Sequence, residues 1–434
     1  MTAPYTDFLA RKAATVSSAG LRVATDDLHP FLHDWQRDVV AWALRVGRAA
    51  IWADTGLGKT AMQVEWARRV GGVVLIVAPL AVCQQTVREA RKVDVVATYV
   101  RDGAAITGSG VWVTNYEMVE RFDPARLDGV VLDEASILKQ SDGRTRTLLI
   151  RHFADVPHRL ACTATPAPND PEELTSQAEF LGHMTRTNML AAYFIHDADG
   201  WRLKGHAQAP MLAWMSSWAI ALRRPSDIGG DDTGYDLPGL DVIPEVLPVD
   251  VVPDGQLFAT DLGGVGGRAA VRRATLDARV QRAADLVAAE PDEPWLLWCG
   301  LNDEADELAR RIPGAVNVHG SLSPEDKARL LLGFADGDFR VLITKPSMAS
   351  FGLNWQHCAR MAFVGLNDSY ETYYQAIRRC FRYGQTRVVR AHVVVSSLES
   401  QIAANVARKE RDATTLTSAL VEQMQRARTE GLAA

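Results

Sequence analysis

A strand that runs into a glycine-rich turn and then into a helix constrains the fold of this chain more than any other feature of its sequence. The turn is ADTGLGKT (53–60), and the apolar run RAAIWAD (48–54) that leads into it is typical of a buried strand. Glycines let backbone amides approach phosphate oxygens closely, and the start of the helix adds a partial positive charge. Ala53 stands where such turns usually have their first glycine. The pattern predicts a phosphate-binding loop.

The loop suggests roles for individual side chains. Lys59 is expected to reach the β- and γ-phosphates of a nucleotide, and the Thr60 hydroxyl is expected to hold Mg²⁺. The alternative is an ordinary turn between a strand and a helix, which the carboxylates described next argue against. The predicted nucleotide-binding residues of the loop are Thr55, Gly56, Leu57, Gly58, Lys59 and Thr60.

A second apolar strand ends in two carboxylates. The segment GVVLDE (129–134) is apolar up to Asp133 and Glu134. At the tip of a strand, Asp133 can coordinate Mg²⁺ through water, and Glu134 can orient or deprotonate the attacking water. Such a pair of carboxylates alone usually lies in a solvated loop. Together with the phosphate loop, however, the pair predicts that Lys59, Asp133 and Glu134 are catalytic. It also predicts a metal site formed by Thr60 and Asp133.

An arginine-rich segment, QAIRRCFRYGQ (375–385), is the third chemical signal. Arg379 and Arg382 are three residues apart, which predicts that they share one face of a helix. Such a pair can meet the γ-phosphate as arginine fingers and stabilise charge in the transition state. Taken alone, a segment of this kind is more often a solvated or nucleic-acid-facing surface. Because the second half of the chain has no phosphate loop, we expect it to complete the site of the first half.

Composition excludes several classes of protein. Of the 434 residues, 47% are hydrophobic and 23% are charged, which excludes a disordered chain, a collagen-like repeat and a disulfide-stabilised small domain. Five cysteines without a CxxC pair do not support a zinc ribbon or a redox motif. The net charge of -6 excludes a wholly basic nucleic-acid binder but allows a local basic groove. Without a long apolar run or a signal pattern, we expect no membrane partner and a cytoplasmic location.

Short apolar runs alternate with amphipathic stretches along most of the chain, which is typical of βαβ units and a parallel sheet. The predicted strands are 48–54, 73–79, 111–115, 129–134, 158–166, 294–300, 340–345, 361–366 and 390–396. Between about 171 and 275 the chain becomes rich in aromatic residues and Met, then in Gly, Asp and Pro. Trp214 and Trp218 in this part are predicted to share a helix face. Two α/β halves that flank such a connector predict a site in the cleft between them.

The predicted domains follow from these changes of pattern. They are an N-terminal arm (1–28), an ATP-binding lobe (29–185), a helical insertion and connector (186–271), a second lobe (272–415) and a C-terminal helix or tail (416–434).

Short segments in a fixed order along the chain carry a family resemblance. They are FLHDWQRDVVAW (31–42), APLAVCQQTVRE (78–89), TNYE (114–117), DEAS (133–136), TATP (163–166), LRRPSDIG…LPGL (222–240), HGSLSPEDKARLLLGF (319–334), ITKPSMASFGLNWQ (343–356) and QAIRRCFRYGQ (375–385). Together they resemble the motifs of superfamily-two helicases, and within them those of the Swi/Snf-related DNA translocases. The compact form resembles the DEAD/DEAH-like helicases of bacteriophages, which implies the cytoplasm of a bacterium or of an infected host.

The resemblance implies a fold, cofactors and partners. The implied fold is α/β, with two RecA-like parallel-sheet lobes and a helical insertion and connector between them. The implied cofactors are ATP and Mg²⁺, with the adenine recognised by Gln36, and the implied partner is single- or double-stranded DNA, RNA being less favoured. The residues expected to contact the nucleic-acid backbone are Pro79, Thr114, Asn115, Ser321, Thr344 and Lys345. For each of their side chains, a role in a turn or cap is the alternative.

The sequence departs from the family pattern and leaves alternatives open. Ser136 stands where the family has His or Asp, and Asp54-Thr55 stands where the Swi/Snf-related group has Glu-Met. The leading hypothesis is a nucleic-acid-dependent ATPase that unwinds DNA or moves along it. One alternative is a double-strand translocase that remodels protein–DNA complexes without unwinding. A different class is an ATP-driven protein switch with no nucleic-acid activity.

Overall fold

The chain forms two units. The computed structural model describes residues 20–139, 143–197, 200–248, 272–351, 354–365, 369–397 and 400–429. The first unit comprises the residues up to Thr233 together with those from Asp412 onwards, and the second comprises Gly234–Arg411. Most of the predicted arm, the glycine-rich segment 261–270 and residues 352–353 of the segment ITKPSMASFGLNWQ lie outside the described residues.

Seven parallel strands, numbered in chain order, form the sheet of the first unit. Across the sheet they are β3 (Ala97–Tyr99), β4 (Gly110–Asn115), β2 (Val73–Ala78), β5 (Gly129–Asp133), β6 (His158–Thr163), β1 (Arg48–Ala53) and β9 (Ala219–Leu222). Strands β1, β2, β4, β5 and β6 were all predicted. They are buried almost throughout, as expected for a parallel sheet that is covered on both faces.

The helices of the first unit follow the strands in the order that βαβ connections require. They are α1 (Asp34–Val46), α2 (Lys59–Val70), α3 (Leu80–Ala90), α4 (Arg144–His152), α5 (Leu174–Leu181), α6 (Arg186–Tyr193) and α7 (Gln208–Met215). Helix α2 begins directly after Gly58, so the phosphate loop connects the carboxyl end of β1 to a helix N-terminus. This is the context that the sequence predicted.

Six parallel strands form the sheet of the second unit. Across the sheet they are β10 (Leu240–Leu247), β15 (Val389–Ser396), β14 (Arg360–Val364), β11 (Trp295–Cys299), β13 (Val341–Thr344) and β12 (Val316–Val318). The helices between these strands are α8 (Leu276–Ala289), α9 (Asn302–Arg311), α10 (Pro324–Asp336) and α11 (Tyr370–Ile377). Strands β11, β13 and β14 share one apolar core with α8 and α9. The two sheets confirm the predicted α/β fold of two RecA-like lobes.

The segment predicted as a helical insertion and connector contains strands as well as helices. An antiparallel hairpin of β7 (Phe194–Asp197) and β8 (Gly200–Leu203) lies between α6 and α7. Strand β9 pairs with β1 and therefore belongs to the first sheet, while β10 pairs with β15 and belongs to the second. The segment thus supplies an edge strand to each sheet.

Helix α7 is shorter than the tryptophan spacing predicts. It ends at Met215 because the Ser216 and Ser217 hydroxyls donate hydrogen bonds of 2.7 Å to backbone carbonyls of the last turn. The shared helix face predicted for Trp214 and Trp218 is therefore wrong. Their rings still meet edge to face, with centroids 5.3 Å apart, and Trp218 is buried.

The last helix, α12 (Ser400–Thr429), runs through the boundary predicted at 415–416. Its residues from Asp412 onwards belong to the first unit. There the Ser418 hydroxyl accepts a hydrogen bond of 2.7 Å from Arg223, and Gln425 donates one of 3.2 Å to the Asp227 carbonyl. Among the described residues, no helix is both long and apolar enough to cross a membrane.

Candidate active site

The turn between β1 and α2 requires glycine at two positions. Gly56 and Gly58 have φ angles of 90° and 75°, in the left-handed region that favours glycine. A Cβ atom on Gly58 would also lie 2.4 Å from Nε2 of Gln36. The tight backbone at Gly58 is therefore fixed both by its own conformation and by the side chain packed against it.

Lys59 is half-buried in the turn. Its Nζ donates hydrogen bonds of 2.6 Å to the Ala53 carbonyl and 3.3 Å to the Asp54 carbonyl. Burial lowers the pKa of Lys59, while the carboxylates of Glu134, Asp54 and Asp133 act in the opposite direction. The amino group thus lies within the field of three carboxylates, which favours its charged form.

Gln36 connects the start of α1 to the phosphate loop. Its Oε1 accepts a hydrogen bond of 2.9 Å from the His33 backbone, and its Nε2 donates one of 3.0 Å to the Leu57 carbonyl. The side chain is 5% exposed. Both ends of the amide therefore bond to the protein and hold the loop, whereas the recognition of adenine by Gln36 stays a prediction.

Asp133 lies at the end of β5 and is held by two residues from other elements. Gln63 of α2 donates a hydrogen bond of 2.8 Å to Oδ1, and the Tyr116 hydroxyl donates one of 2.6 Å to the Asp133 carbonyl. Burial raises the pKa of Asp133, and the Gln63 bond and the nearby Lys59 oppose this rise. Neither partner was predicted from the sequence, although Gln63 lies four residues after Lys59 and so on the same side of α2.

Glu134 has a left-handed backbone, with a φ of 62°. This region is uncommon for a residue with a Cβ atom, and such residues concentrate at functional sites. One carboxylate oxygen, Oε1, accepts hydrogen bonds of 3.0 Å from the Ser136 hydroxyl and 2.5 Å from the Thr163 hydroxyl. Thr163 ends the neighbouring strand β6, where Cys162 pairs with Asp133. This role of Thr163 was not predicted, because the contact depends on which strands are neighbours in the sheet.

One edge of the first sheet therefore gathers the groups that phosphate chemistry needs. Strands β5, β6 and β1 are neighbours, and their carboxyl ends carry the two carboxylates, Thr163 and the loop with Lys59. Thr60 lies in the first turn of α2, where the helix N-terminus suits a phosphate and the hydroxyl suits a cation bound to that phosphate. Within the described ranges, no group of three or more His, Cys, Asp or Glu could hold a metal ion.

The arginine segment of the second unit is not helical at the two predicted positions. Helix α11 ends at Ile377, and Arg379 and Arg382 follow it in a series of turns. The Arg379 carbonyl accepts a hydrogen bond of 2.9 Å from the Trp355 backbone, and the Gln385 side chain donates one of 3.2 Å to the Cys380 carbonyl. Because these contacts take carbonyls that a longer helix would use, the predicted shared helix face is wrong.

Three of the residues expected to contact nucleic acid have buried side chains. The Thr114 hydroxyl donates to the Val100 carbonyl at 2.8 Å, and Asn115 accepts from the Tyr99 hydroxyl at 2.8 Å. The Thr344 hydroxyl donates to the Val318 carbonyl at 3.0 Å. In each unit, therefore, a threonine at the end of one strand pins the edge strand beside it. Any contact that Thr114 and Thr344 make with a phosphate would use their backbone.

The other three residues expected to contact nucleic acid are more accessible. Ser321 is exposed, and its hydroxyl lies 2.7 Å from Nδ1 of His319. Lys345 is partly exposed directly after β13, and Pro79 is partly exposed between β2 and α3. Lys345 is the positively charged member of the predicted set, so it is best suited to a phosphate group.

Family comparisons agree with this arrangement. Residues 30–189 match the SNF2-related domain, and residues 278–384 match the helicase conserved C-terminal domain. The first match contains the phosphate loop and both carboxylates, and the second contains Arg379 and Arg382. A search of curated proteins found no match. Together the two domain matches support a Snf2-type helicase of superfamily two, which is a nucleic-acid-dependent ATPase.

Proposed function

We propose that the protein couples ATP hydrolysis to the unwinding of DNA or to movement along it. The observation that carries the proposal is the group of Lys59, Asp133 and Glu134 at one edge of the first sheet, inside an SNF2-related domain. A lysine in a glycine-rich turn and two carboxylates at a strand end are what binding and hydrolysis of a nucleoside triphosphate require.

The residues of the first unit fit a nucleotide bound with Mg²⁺. Gly56 and Gly58, both in the left-handed region, have no Cβ atoms, so that the amides beside them can approach phosphates. Thr60 and Asp133 would hold the metal ion, which usually takes one or two protein ligands and completes its shell with phosphates and waters. When bound, Mg²⁺ would neutralise charge on the β- and γ-phosphates. Lys59 would bind the same phosphates as a point charge.

We assign hydrolysis to Glu134 with help from the second unit. Glu134 would orient the attacking water and accept its proton. Arg379 and Arg382 would stabilise charge on the γ-phosphate as arginine fingers. The match of residues 278–384 to the helicase C-terminal domain supports this assignment, since it includes both arginines.

DNA is the proposed track. The segment QAIRRCFRYGQ resembles motif VI of DNA translocases rather than that of RNA helicases, and this favours DNA over RNA. Lys345 and Ser321 would contact phosphates, which position a nucleic acid without reading its sequence. An ATPase that moves along a backbone needs contacts of this kind.

The experiment that tests the proposal is steady-state ATP hydrolysis with no polynucleotide and with single-stranded DNA, duplex DNA or RNA. Stimulation of hydrolysis by DNA is the expected result. Stimulation by RNA alone would show that the protein moves along RNA and not along DNA. Hydrolysis that is equally fast under all four conditions would overturn the proposal and favour an ATP-driven protein switch.

A second pair of assays separates unwinding from translocation without unwinding. Release of a labelled strand from a forked duplex measures unwinding. Displacement of a triplex-forming strand from an intact duplex measures translocation along double-stranded DNA. Activity in the second assay alone would identify the double-strand translocase.

A further inference from the structure

We propose that Arg48 and Arg159 form a binding site for a phosphate group at the amino ends of β1 and β6, on the side of the first sheet opposite the candidate active site. The two residues are register partners in the neighbouring strands. The phosphate loop and Thr163 lie at the carboxyl ends of the same strands. At about 3.3 Å per residue, β1 separates the two sites by roughly 17 Å.

The tips of the two guanidinium groups lie beside each other at Gly182. A Cβ atom on Gly182 would lie 2.9 Å from Nη2 of Arg159 and 3.1 Å from Nη1 of Arg48, so both groups reach the same point. Gly182 follows the last residue of α5, has a φ of 77° and is exposed. Because this residue has no side chain and lies at the surface, a small ion can approach the two groups from solvent.

Protein groups satisfy only part of this pair of cations. Nε of Arg48 donates a hydrogen bond of 3.1 Å to the Pro157 carbonyl, and Nη1 of Arg159 donates to the Phe180 carbonyl. Both acceptors are neutral. Within the part of the chain that the structure describes, neither arginine forms an ion pair, and Asp155, whose charge acts on both, is exposed. The protein therefore leaves two positive charges without a bonded anion.

Burial makes this excess of positive charge costly. Arg159 is 3% exposed, and among the described residues its Nε has no hydrogen-bond partner. Burial, and then the like charge of Arg48, lowers the pKa of Arg159 to about 10. Burial and the same two arginines lower the pKa of the neighbouring His183 to about 4. An anion bound here would offset this cost, since buried charges in proteins are normally paired.

The alternative to a binding site is a structural role at the end of α5. Cations stabilise the carboxyl end of a helix, and Arg159 does bond a carbonyl of the last turn. One cation is enough for this role. Arg48 bonds a carbonyl outside α5 and adds a like charge beside the first, which a structural role does not explain.

The chemistry of the pair selects phosphate as the ligand. A guanidinium group is a planar fork whose N–H groups match the oxygens of a phosphate, and it stays charged at neutral pH. Two such groups match the double negative charge of a phosphate ion or a phosphate monoester. These two sources share the group that is recognised and differ in what is attached to it.

The test measures phosphate binding with the phosphate loop disabled. Lys59→Met is the background, because the loop is a second place where phosphate can bind. Arg48→Gln removes the partly exposed member of the pair, and Arg151→Gln removes an exposed arginine of α4 as the matched control. Calorimetric titration with inorganic phosphate and with ribose 5-phosphate, at constant ionic strength, gives Kd and stoichiometry. Tm is measured as phosphate replaces chloride.

We expect the background protein to bind one phosphate per chain and to gain Tm. Arg48→Gln should weaken binding at least roughly tenfold, as the loss of a charge-assisted hydrogen bond does, and should abolish the gain in Tm. Arg151→Gln should bind as the background does. Binding of inorganic phosphate alone would identify a free ion as the ligand, and tighter binding of ribose 5-phosphate would identify a monoester. Either result supports the site.

Two results would overturn the inference. One is that the background protein binds neither compound, and the other is that Arg48→Gln binds phosphate as tightly as the background. Should Arg48→Gln fail to fold, the exposed Asp155 decides the question. Asp155→Asn removes an opposing negative charge and should tighten phosphate binding by roughly two- to fivefold, and unchanged binding would reject the site. No measurement here depends on ATP hydrolysis, so a failure leaves the proposed function untouched.

Discussion

Gln36 donates a hydrogen bond of 3.0 Å from Nε2 to the Leu57 carbonyl, and the same nitrogen lies 2.4 Å from the place where a Cβ on Gly58 would be. The Gln36 side chain of α1 therefore occupies the space that a side chain at residue 58 of the phosphate loop would need. This contact makes the loop sensitive to the size of residue 58 as well as to its φ angle.

Replacing Gly58 by Ala should damage the loop more than its φ angle alone would. Gly337 is the matched control, because its φ of 82° and ψ of 20° are close to the 75° and 30° of Gly58 and nothing packs within 4 Å of the place where its Cβ would be. We expect Gly337→Ala to cost about 1 kcal/mol of stability, as a left-handed backbone does, and to leave nucleotide binding intact. Gly58→Ala should weaken nucleotide binding at least roughly tenfold, measured with a fluorescent ATP analogue. Equal binding by the two variants would contradict the contact.

Lys59 and Glu134 should separate nucleotide binding from hydrolysis. Lys59→Met removes the cation that binds the phosphates, so we expect nucleotide affinity and turnover to fall together. Glu134→Gln keeps the size of the side chain but not its basicity, so binding should persist while kcat falls by roughly a hundredfold or more. Titration with a nucleotide analogue and steady-state hydrolysis measure the two effects. Undiminished hydrolysis by Glu134→Gln would reject Glu134 as the base.

Arg382→Ala should impair hydrolysis more than binding. An arginine finger acts on the transition state, so kcat should fall by roughly a thousandfold while the nucleotide Kd changes less than in Lys59→Met. Arg378→Ala is the control from the same segment. The Cζ atom of Arg378 lies 5.0 Å from the centroid of the Tyr374 ring and 5.1 Å from that of the Phe381 ring, so its side chain packs on aromatic rings. If Arg382→Ala lost binding as completely as Lys59→Met, a finger role would be excluded.

Lys345 and its neighbour Thr344 should have different effects on nucleic-acid binding. Loss of one phosphate contact in Lys345→Ala should weaken binding to DNA of any sequence and reduce the slope of log K against log salt by about 1. Thr344→Val removes a buried hydroxyl bond to Val318, so it should cost about 1 kcal/mol of stability without changing that slope. Binding titrations at several salt concentrations test both. An unchanged slope in Lys345→Ala would exclude a phosphate contact.

Acidification should destabilise the protein through His183. Its Nε2 bonds the Arg48 carbonyl at 2.7 Å, and burial, with the nearby charges of Arg159 and Arg48, lowers its pKa from 6.5 to about 4. The folded state thus binds fewer protons than the unfolded state between these values. The contribution of His183 is complete above pH 6.5 and is lost as the pH falls toward 4, by at most about 3 kcal/mol.

The comparison with His183→Gln isolates this effect. Burial raises the pKa of Glu173 to about 7, which makes stability fall as the pH rises, but Glu173 is present in both proteins. The difference in unfolding free energy between wild type and variant, from urea denaturation at pH 4 to 8, should therefore shrink toward low pH. A constant difference would show that His183 does not titrate in this range.

Most strands with a continuous apolar run were predictable from the sequence, and the three-residue strands were not. Runs such as VVLIVA (73–78) predict a buried strand, whereas Ala97–Tyr99 and Val316–Val318 have too few residues to show any periodicity. The eight residues of β10 include Pro244, which argues against a central strand. Pro244 is tolerated because β10 lies at the edge of its sheet.

The candidate site was predictable where its residues are neighbours in the chain. Lys59 and Glu134 each belong to a local pattern whose chemistry can be recognised. Gln63 and Thr163 act through contacts between elements, which depend on the spatial order of the strands. The turn that carries Arg382 was misjudged because tertiary hydrogen bonds end α11, and helical spacing does not reveal them.

The first unit is discontinuous, since the whole of Gly234–Arg411 separates its two parts along the chain. Ribosomes deliver the N-terminal part first, and domains generally fold as they emerge. The strands that carry the phosphate loop and the carboxylates can therefore assemble early. Leu420 and Val421, which are buried in the first unit, arrive only after the second unit has been synthesised. Completion of the first unit is thus a late event in the biosynthesis of this protein.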